Sequence, residues 1–152
     1  MKTVVLGLGN PILSDDSVGF RVAKLLQSRL DESEVTILEA GVAGLNLLDL
    51  LVGYDKAVII DSIQTGEGKA GEVYRLDPKD LDKTRHTSSS HELNFATTLA
   101  LGKRLGLALP QQLIIFAIEI KDASTFSEQC TPEVEHAIPV CAGMVAQELR
   151  GD

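Results

Sequence analysis

Leu6-Gly7-Leu8-Gly9-Asn10-Pro11-Ile12-Leu13-Ser14-Asp15-Asp16-Ser17-Val18-Gly19 is the stretch on which the fold turns. An apolar run from Thr3 to Leu8 is broken by two glycines and a proline, and helical apolar spacing begins at Val18. The run reads as a buried strand, the break as a tight loop and the new periodicity as a helix start. In open α/β sheets such a loop lies at the carboxyl ends of the strands, where ligands bind. The acids Asp15 and Asp16 there can serve in either of two ways. Ser14 or Asp15 can cap the helix, with Asp16 in its first turn, or the pair can help to hold a cation. A dinucleotide-binding loop fits poorly: the third glycine of G-x-G-x-x-G falls on Ile12, and the two acids would repel a pyrophosphate.

Outward from this stretch, Val22, Leu25 and Leu30 continue the first helix. Val35 to Leu38 reads as a second strand, Gly41-Val42-Ala43-Gly44 as a loop, and Leu45, Leu48 and Leu51 as the start of a short helix. Ala57 to Ile60 is apolar throughout, hence a central strand, and it ends at Asp61. Two β-α-β units in succession imply parallel strands with right-handed crossovers. The glycine-containing link from Ser62 to Gly71 is too short for a helical crossover. The alternating Glu72–Leu76 segment is therefore predicted to be an edge strand antiparallel to the third.

Residues 82 to 91 are polar, and Ser89 with Glu92 forms a capping box that puts His91 in the first turn of the next helix. Leu93, Ala96, Ala100 and Leu101 give that helix its apolar face. Leu113 to Ile118 reads as a fifth strand buried on both faces, followed by a loop from Glu119 to Cys130 that is long enough to be functional. Thr131-Pro132-Glu133 opens the last helix with a cap, an N1 proline and a first-turn acid. Val134, Ile138, Cys141, Val145 and Leu149 form its buried stripe, which makes Cys141 a core residue and not a nucleophile. The fold class is α/β.

A chain of 152 residues suits one domain, taken as 1–152. The formal net charge is −8, from 14 basic and 22 acidic residues, without a basic cluster. That balance argues against nucleic-acid and anionic-membrane partners. Cys130 and Cys141 are the only cysteines and are not spaced C-x-x-C, so a reduced pair is expected. No apolar run approaches the roughly 20 residues of a membrane span, and no signal-peptide pattern precedes Thr3. A cytoplasmic location is the expectation.

Three polar residues converge in this topology: Asp16 after the first strand, Asp61 at the end of the third, and His91 at a helix start beside the same surface. Two carboxylates and an imidazole suit a borderline divalent ion such as nickel or zinc. A helix N-terminus would keep His91 neutral, as a ligand must be. Each also has an ordinary reading, Asp61 as a cap on the loop that follows and His91 as a first-turn residue. His86 and His136 are lesser candidates, in the polar loop and on an exposed helix face. No G-x-S-x-G elbow occurs, Ser88 to Ser90 read as loop and cap, and no Cys–His pair is suggested.

At these residues the chain resembles the hydrogenase maturation endopeptidases, which process the large subunit of nickel–iron hydrogenases. The resemblance runs through Gly7-Leu8-Gly9-Asn10, Ser14 to Gly19, Ile59-Ile60-Asp61-Ser62, Gly71-Glu72-Val73, Leu76-Asp77-Pro78, Ser90-His91-Glu92-Leu93 and Thr131-Pro132. It implies a three-layer α/β/α fold whose mixed five-stranded sheet has the order 2-1-3-5-4, with strand 4 antiparallel. It implies an enzyme that removes a C-terminal extension from the precursor after nickel insertion. It places the metal ligands on Asp16, Asp61 and His91, a catalytic carboxylate on Asp16 or Asp61, and a substrate contact on Gly41, Val42, Ala43 and Gly44. Nickel would come with the precursor, zinc or cadmium could replace it in a crystal, and the protein would be a monomer or weak dimer. Three mechanisms stay open: nickel as a recognition signal, a metal polarising the scissile carbonyl or activating water, and a carboxylate general base. So do two other functions. One is a nickel sensor or carrier on the same ligands. The other is a peptidyl-tRNA hydrolase, whose family also opens Gly-Leu-Gly-Asn-Pro but differs at Ile12 and in the place of Thr84-Arg85-His86.

Overall fold

The computed structural model describes residues 1–41, 44–80 and 95–151. The strands are β1 (Thr3–Leu8), β2 (Thr36–Ala40), β3 (Lys56–Ile63), β4 (Val73–Leu76) and β5 (Gln112–Glu119). The helices are α1 (Val18–Arg29), α2 (Gly44–Leu51), α3 (Phe95–Arg104) and α4 (Pro132–Arg150), and a 3-10 turn, Ser14–Ser17, precedes α1. The sheet order is β2-β1-β3-β5-β4. β1, β2, β3 and β5 run parallel, and β4 lies antiparallel on β5, with Tyr74 opposite Ala117. The expected order and the reversed fourth strand are both found. β4 turns back because only a short link separates it from β3, so it joins the sheet beyond β5 instead.

Strand alternation divides the core into two layers. Val5, Val58, Ile60, Phe116 and Ile118 face α1 and α4, whose Val22, Leu26, Val134, Cys141 and Val145 are buried against them. Leu6, Leu8, Ile59, Ile115 and Ala117 pack on the other face with Leu47 and Leu51 of α2. Every residue of β3 is buried, as an inner strand covered on both sides requires. Each large apolar side chain so enclosed contributes about 1.5–3 kcal/mol.

Several boundaries differ from expectation, and three of them bear on the site. β3 continues two residues past Asp61, to Ile63, because Ser62 and Ile63 still pair with Ile118 and Glu119. β5 likewise takes in Glu119, which the sequence reading assigns to the following loop. Asp61 thus lies inside a strand and does not cap the loop after it. The third difference is at α1, whose N-cap is Ser17 and carries no side-chain cap bond. The expected box of Ser89 and Glu92 lies outside the described residues, as do Val42, Ala43, His86 and His91.

Candidate active site

The site is built where β1 and β3 deliver their carboxyl ends beneath the start of α1. Two glycines let these elements approach. A Cβ on Gly7 would overlap the carbonyl oxygen of Gly19, and one on Gly19 would overlap the carbonyl oxygen of Leu8 and crowd that of Ile60. Helix and sheet can meet this closely only without side chains at those positions. Gly19 therefore allows the close helix–strand packing for which dinucleotide-binding folds use the third glycine of G-x-G-x-x-G. The loop between them closes on itself. Asn10 N–H donates to the Asp16 carbonyl (3.2 Å), Asp16 N–H to the Leu13 carbonyl (2.8 Å), and Ile12 N–H to Asn10 Oδ1 (3.1 Å).

Asp16 is carried in the 3-10 turn, buried, above the end of β3. The Ser62 hydroxyl donates to its Oδ1 at 2.8 Å. The backbone N–H of the same serine donates to Oδ1 of Asp61 at 2.8 Å. The structure thereby brings together two of the three predicted metal ligands, with one residue bridging them. Asp61, Asp16 and Ser62 are 5%, 6% and 3% exposed, so these polar groups sit in the sheet's crevice and not on open surface. Among the described residues no group of three or more His, Cys, Asp or Glu is disposed to hold a metal ion. The third predicted ligand, His91, lies outside them. Gly41 lies directly after β2, at the same carboxyl end of the sheet, exposed and with open space where a Cβ would stand. Gly44 begins α2.

Asp15 does different work from Asp16. Its side chain is fully buried. Its Oδ2 accepts from the N–H groups of Lys121 (3.0 Å) and Asp122 (2.9 Å), and its Oδ1 from the N–H of Thr131 (2.6 Å). The Thr131 hydroxyl adds a further bond. Asp15 therefore caps no helix of its own. It ties the start of α4 and the segment after β5 to the loop that carries Asp16, and Thr131 spends its hydroxyl on Asp15 instead of capping α4. Next to it, Ser14 holds φ at +35°, a left-handed backbone that a non-glycine residue rarely adopts. Its N–H donates to the Ser127 carbonyl (2.9 Å) and its hydroxyl to the Gln129 carbonyl (3.2 Å), which offset that strain.

Glu119 is a site neighbour that the sequence reading did not single out. It lies one side-chain repeat further along the same sheet face as Asp61, since Asp61 pairs with Ala117 and Ile63 with Glu119. Its carboxylate is buried and accepts from Thr65 N–H (2.8 Å), the Thr65 hydroxyl (2.7 Å) and the Tyr74 hydroxyl (2.9 Å). Burial, and then the hydrogen bond to Glu119, hold the Tyr74 phenol well above its usual range. An acid closing an apolar strand was the signal that marked Asp61, and Glu119 carries the same one.

The thiols are not part of this chemistry. Cys141 is fully buried, and burial pushes it up to about 12. Cys130 is held between Ser14 and Ser17, and burial raises it too. Neither forms a disulfide.

Comparison with known proteins settles the family. Residues 20–148 match the family model for hydrogenase maturation protease, HycI. The chain belongs to the hydrogenase maturation protease family. It is 28% identical over 152 residues to the hydrogenase 2 maturation protease of Escherichia coli K12, covering 99% of this chain and 92% of that protein. Its fold superposes on the hydrogenase maturating endopeptidase HybD from E. coli with a TM-score of 0.87 at 27% identity, over 99% of this chain and 93% of that one. A hydrogenase 2 maturation peptidase from a thaumarchaeote gives a TM-score of 0.70 at 28% identity, over 98% of both chains. As a maturation protease the chain is a peptide-bond hydrolase, and the buried carboxylates at the sheet's carboxyl end are its candidate chemical groups. The family match begins at Phe20, so Asp16 lies before it and Asp61 and Ser62 lie within it.

Proposed function

We propose that this protein is an endopeptidase that removes the C-terminal extension of a nickel–iron hydrogenase large-subunit precursor once nickel has been inserted. One observation carries the reading. In a chain of this family, two buried carboxylates from distant parts of the sequence meet around a single serine at the end of the sheet where α/β folds bind ligands. Carboxylates of this kind suit a borderline divalent ion. Nickel enters as cargo of the precursor, and Asp16 and Asp61, with His91 as the third candidate, are the groups that would meet it. Gly41, directly after β2, with Val42, Ala43 and Gly44 following, is the proposed contact for the precursor chain.

The chemical step assigned to the site is hydrolysis of one peptide bond. Water adds to the scissile carbonyl carbon while Asp16 or Asp61 takes its proton. The carbon–nitrogen bond then breaks, and the same carboxyl returns the proton to the leaving amine. We place the reaction in the cytoplasm. Among the described residues no helix is long and apolar enough to cross a membrane.

The test is direct. Asp16→Asn and Asp61→Asn are expected to fold normally and to lose at least about 100-fold in rate on nickel-loaded precursor, in the range seen for lost acid–base groups. His91→Ala is expected to stop processing as well. Precursor mass before and after incubation is the readout. Normal shortening by all three variants would remove the reading.

A further inference from the structure

Ser62 follows Asp61 in a regular strand, so the two side chains leave opposite faces of the sheet. The Ser62 side chain points to the α1 side, where its hydroxyl meets Asp16, while its backbone N–H reaches back to the Asp61 carboxylate. One residue, 3% exposed, thus donates to both carboxylates through two different groups. A hydrogen bond to one oxygen of a carboxylate limits its rotation, and so sets the direction of the other oxygen. Donors to a carboxylate are also among the stronger hydrogen bonds.

We infer that Ser62 is a positioning residue. It sets the Asp16 and Asp61 carboxylates relative to one another so that a single divalent cation can meet both. This rests on the proposed role of Asp16 and Asp61 and adds a further residue that tunes it. Hydrogen-bond partners of metal-binding groups typically change metal affinity by about 10–100-fold when removed. Ser62→Ala deletes the hydroxyl and leaves the backbone N–H to Asp61, so its effect is confined to Asp16. Ser62→Thr keeps the hydroxyl.

The experiment titrates Ni²⁺ alone into the wild type, Ser62→Ala, Ser62→Thr, Asp16→Asn and the Asp16→Asn/Ser62→Ala double variant, with thermal midpoints measured alongside. Ser62→Ala is expected to bind Ni²⁺ about tenfold more weakly at an unchanged midpoint, and Ser62→Thr to recover most of the loss. The double variant should bind no more weakly than Asp16→Asn, because the serine acts through that carboxylate. Four results would each overturn the inference: wild-type affinity in Ser62→Ala, a full additional loss on top of Asp16→Asn, no recovery in Ser62→Thr, or no Ni²⁺ binding by the wild type. Precursor cleavage, measured in parallel, separates the claims. A wild type that binds Ni²⁺ in a serine-dependent way but leaves the precursor intact would contradict the peptidase reading and leave the positioning role standing. Wild-type Ni²⁺ affinity in Ser62→Ala with normal cleavage by the wild type would do the reverse.

Discussion

Asp15 and Asp16 are neighbours and chemically alike, yet the fold uses them for different ends. Asp15 points into the protein and satisfies three backbone N–H groups and a hydroxyl. Asp16 turns to the crevice over β3 and meets Ser62. Removing Asp15 leaves several part-buried donors unmet, at up to about 1–3 kcal/mol each. Asp15→Ala is therefore expected to lower the free energy of unfolding by about 3 kcal/mol or more in a urea titration. Asp16→Asn should shift it by less than about 1 kcal/mol while stopping processing. Equal destabilisation by the two would contradict this division. The sequence shows that an acidic pair follows the first strand, but its reading of Ser14 or Asp15 as the cap of α1 fails, since the N-cap is Ser17 with no side-chain bond. It does not show which acid turns inward, because Asp15's partners lie more than a hundred residues away, at Lys121, Asp122 and Thr131. Ser62 was hidden for a related reason. Its importance comes from the strand reaching past Asp61, and a serine at a strand end carries no signal of its own.

At the scale of elements, the site depends on how closely α1 can approach β1 and β3. The Gly7–Gly19 contact sets that distance, and the turn bearing Asp16 rides on it. Gly19→Ala places a methyl group against two strand carbonyls, and overpacking of this kind costs about 1–3 kcal/mol. The expected outcome is a lower thermal midpoint together with a processing defect, since a displaced α1 carries Asp16 away from Ser62. A Gly19→Ala variant with wild-type stability and activity would show that the close approach is dispensable. A second tie, Glu119 to Thr65 and Tyr74, holds the segment leaving β3 against β5. Most of this scaffold was legible. Apolar runs located β1, β3 and β5, alternation located β4, the short link after β3 gave its reversed direction, and Thr131-Pro132-Glu133 marked the start of α4. The missed ends of β3 and β5 share one cause. Polar residues at a strand terminus read as loop, whereas here Asp61, Ser62 and Glu119 are kept in the ladder by pairing with each other's strands.

Across the whole molecule, the carboxylates of the site and a buried ion pair are placed at opposite ends of the sheet. Asp16 and Asp61 lie at the carboxyl ends of the parallel strands. At the other end of β3, Lys56 is fully buried and its Nζ donates to the carbonyl (3.2 Å) and Oε2 (3.3 Å) of Glu148 on α4. Arg75 donates to the other carboxylate oxygen at 2.8 Å. The hydrogen bond from Arg75, and then that from Lys56, hold the Glu148 carboxyl below its ordinary range despite partial burial. A carboxyl lowered by folding adds stability that is complete above its unfolded value, about 4.3, and is lost as pH falls through the folded value. The thermal midpoint is therefore expected to decline below about pH 4. Glu148→Gln should flatten part of that decline and leave processing near neutral pH unchanged. An identical acid profile in that variant would contradict the assignment.

The claim on which the account depends is that Asp16 and Asp61 face one cation position beside Ser62. The measurement that tests it most directly is a crystal of this protein soaked in a nickel salt, with the metal located by its anomalous signal. The account predicts a single peak ligated by both carboxylates, with Ser62 still bonded to Asp16. Nickel bound elsewhere, with the two carboxylates turned apart and sharing no ion, would contradict it.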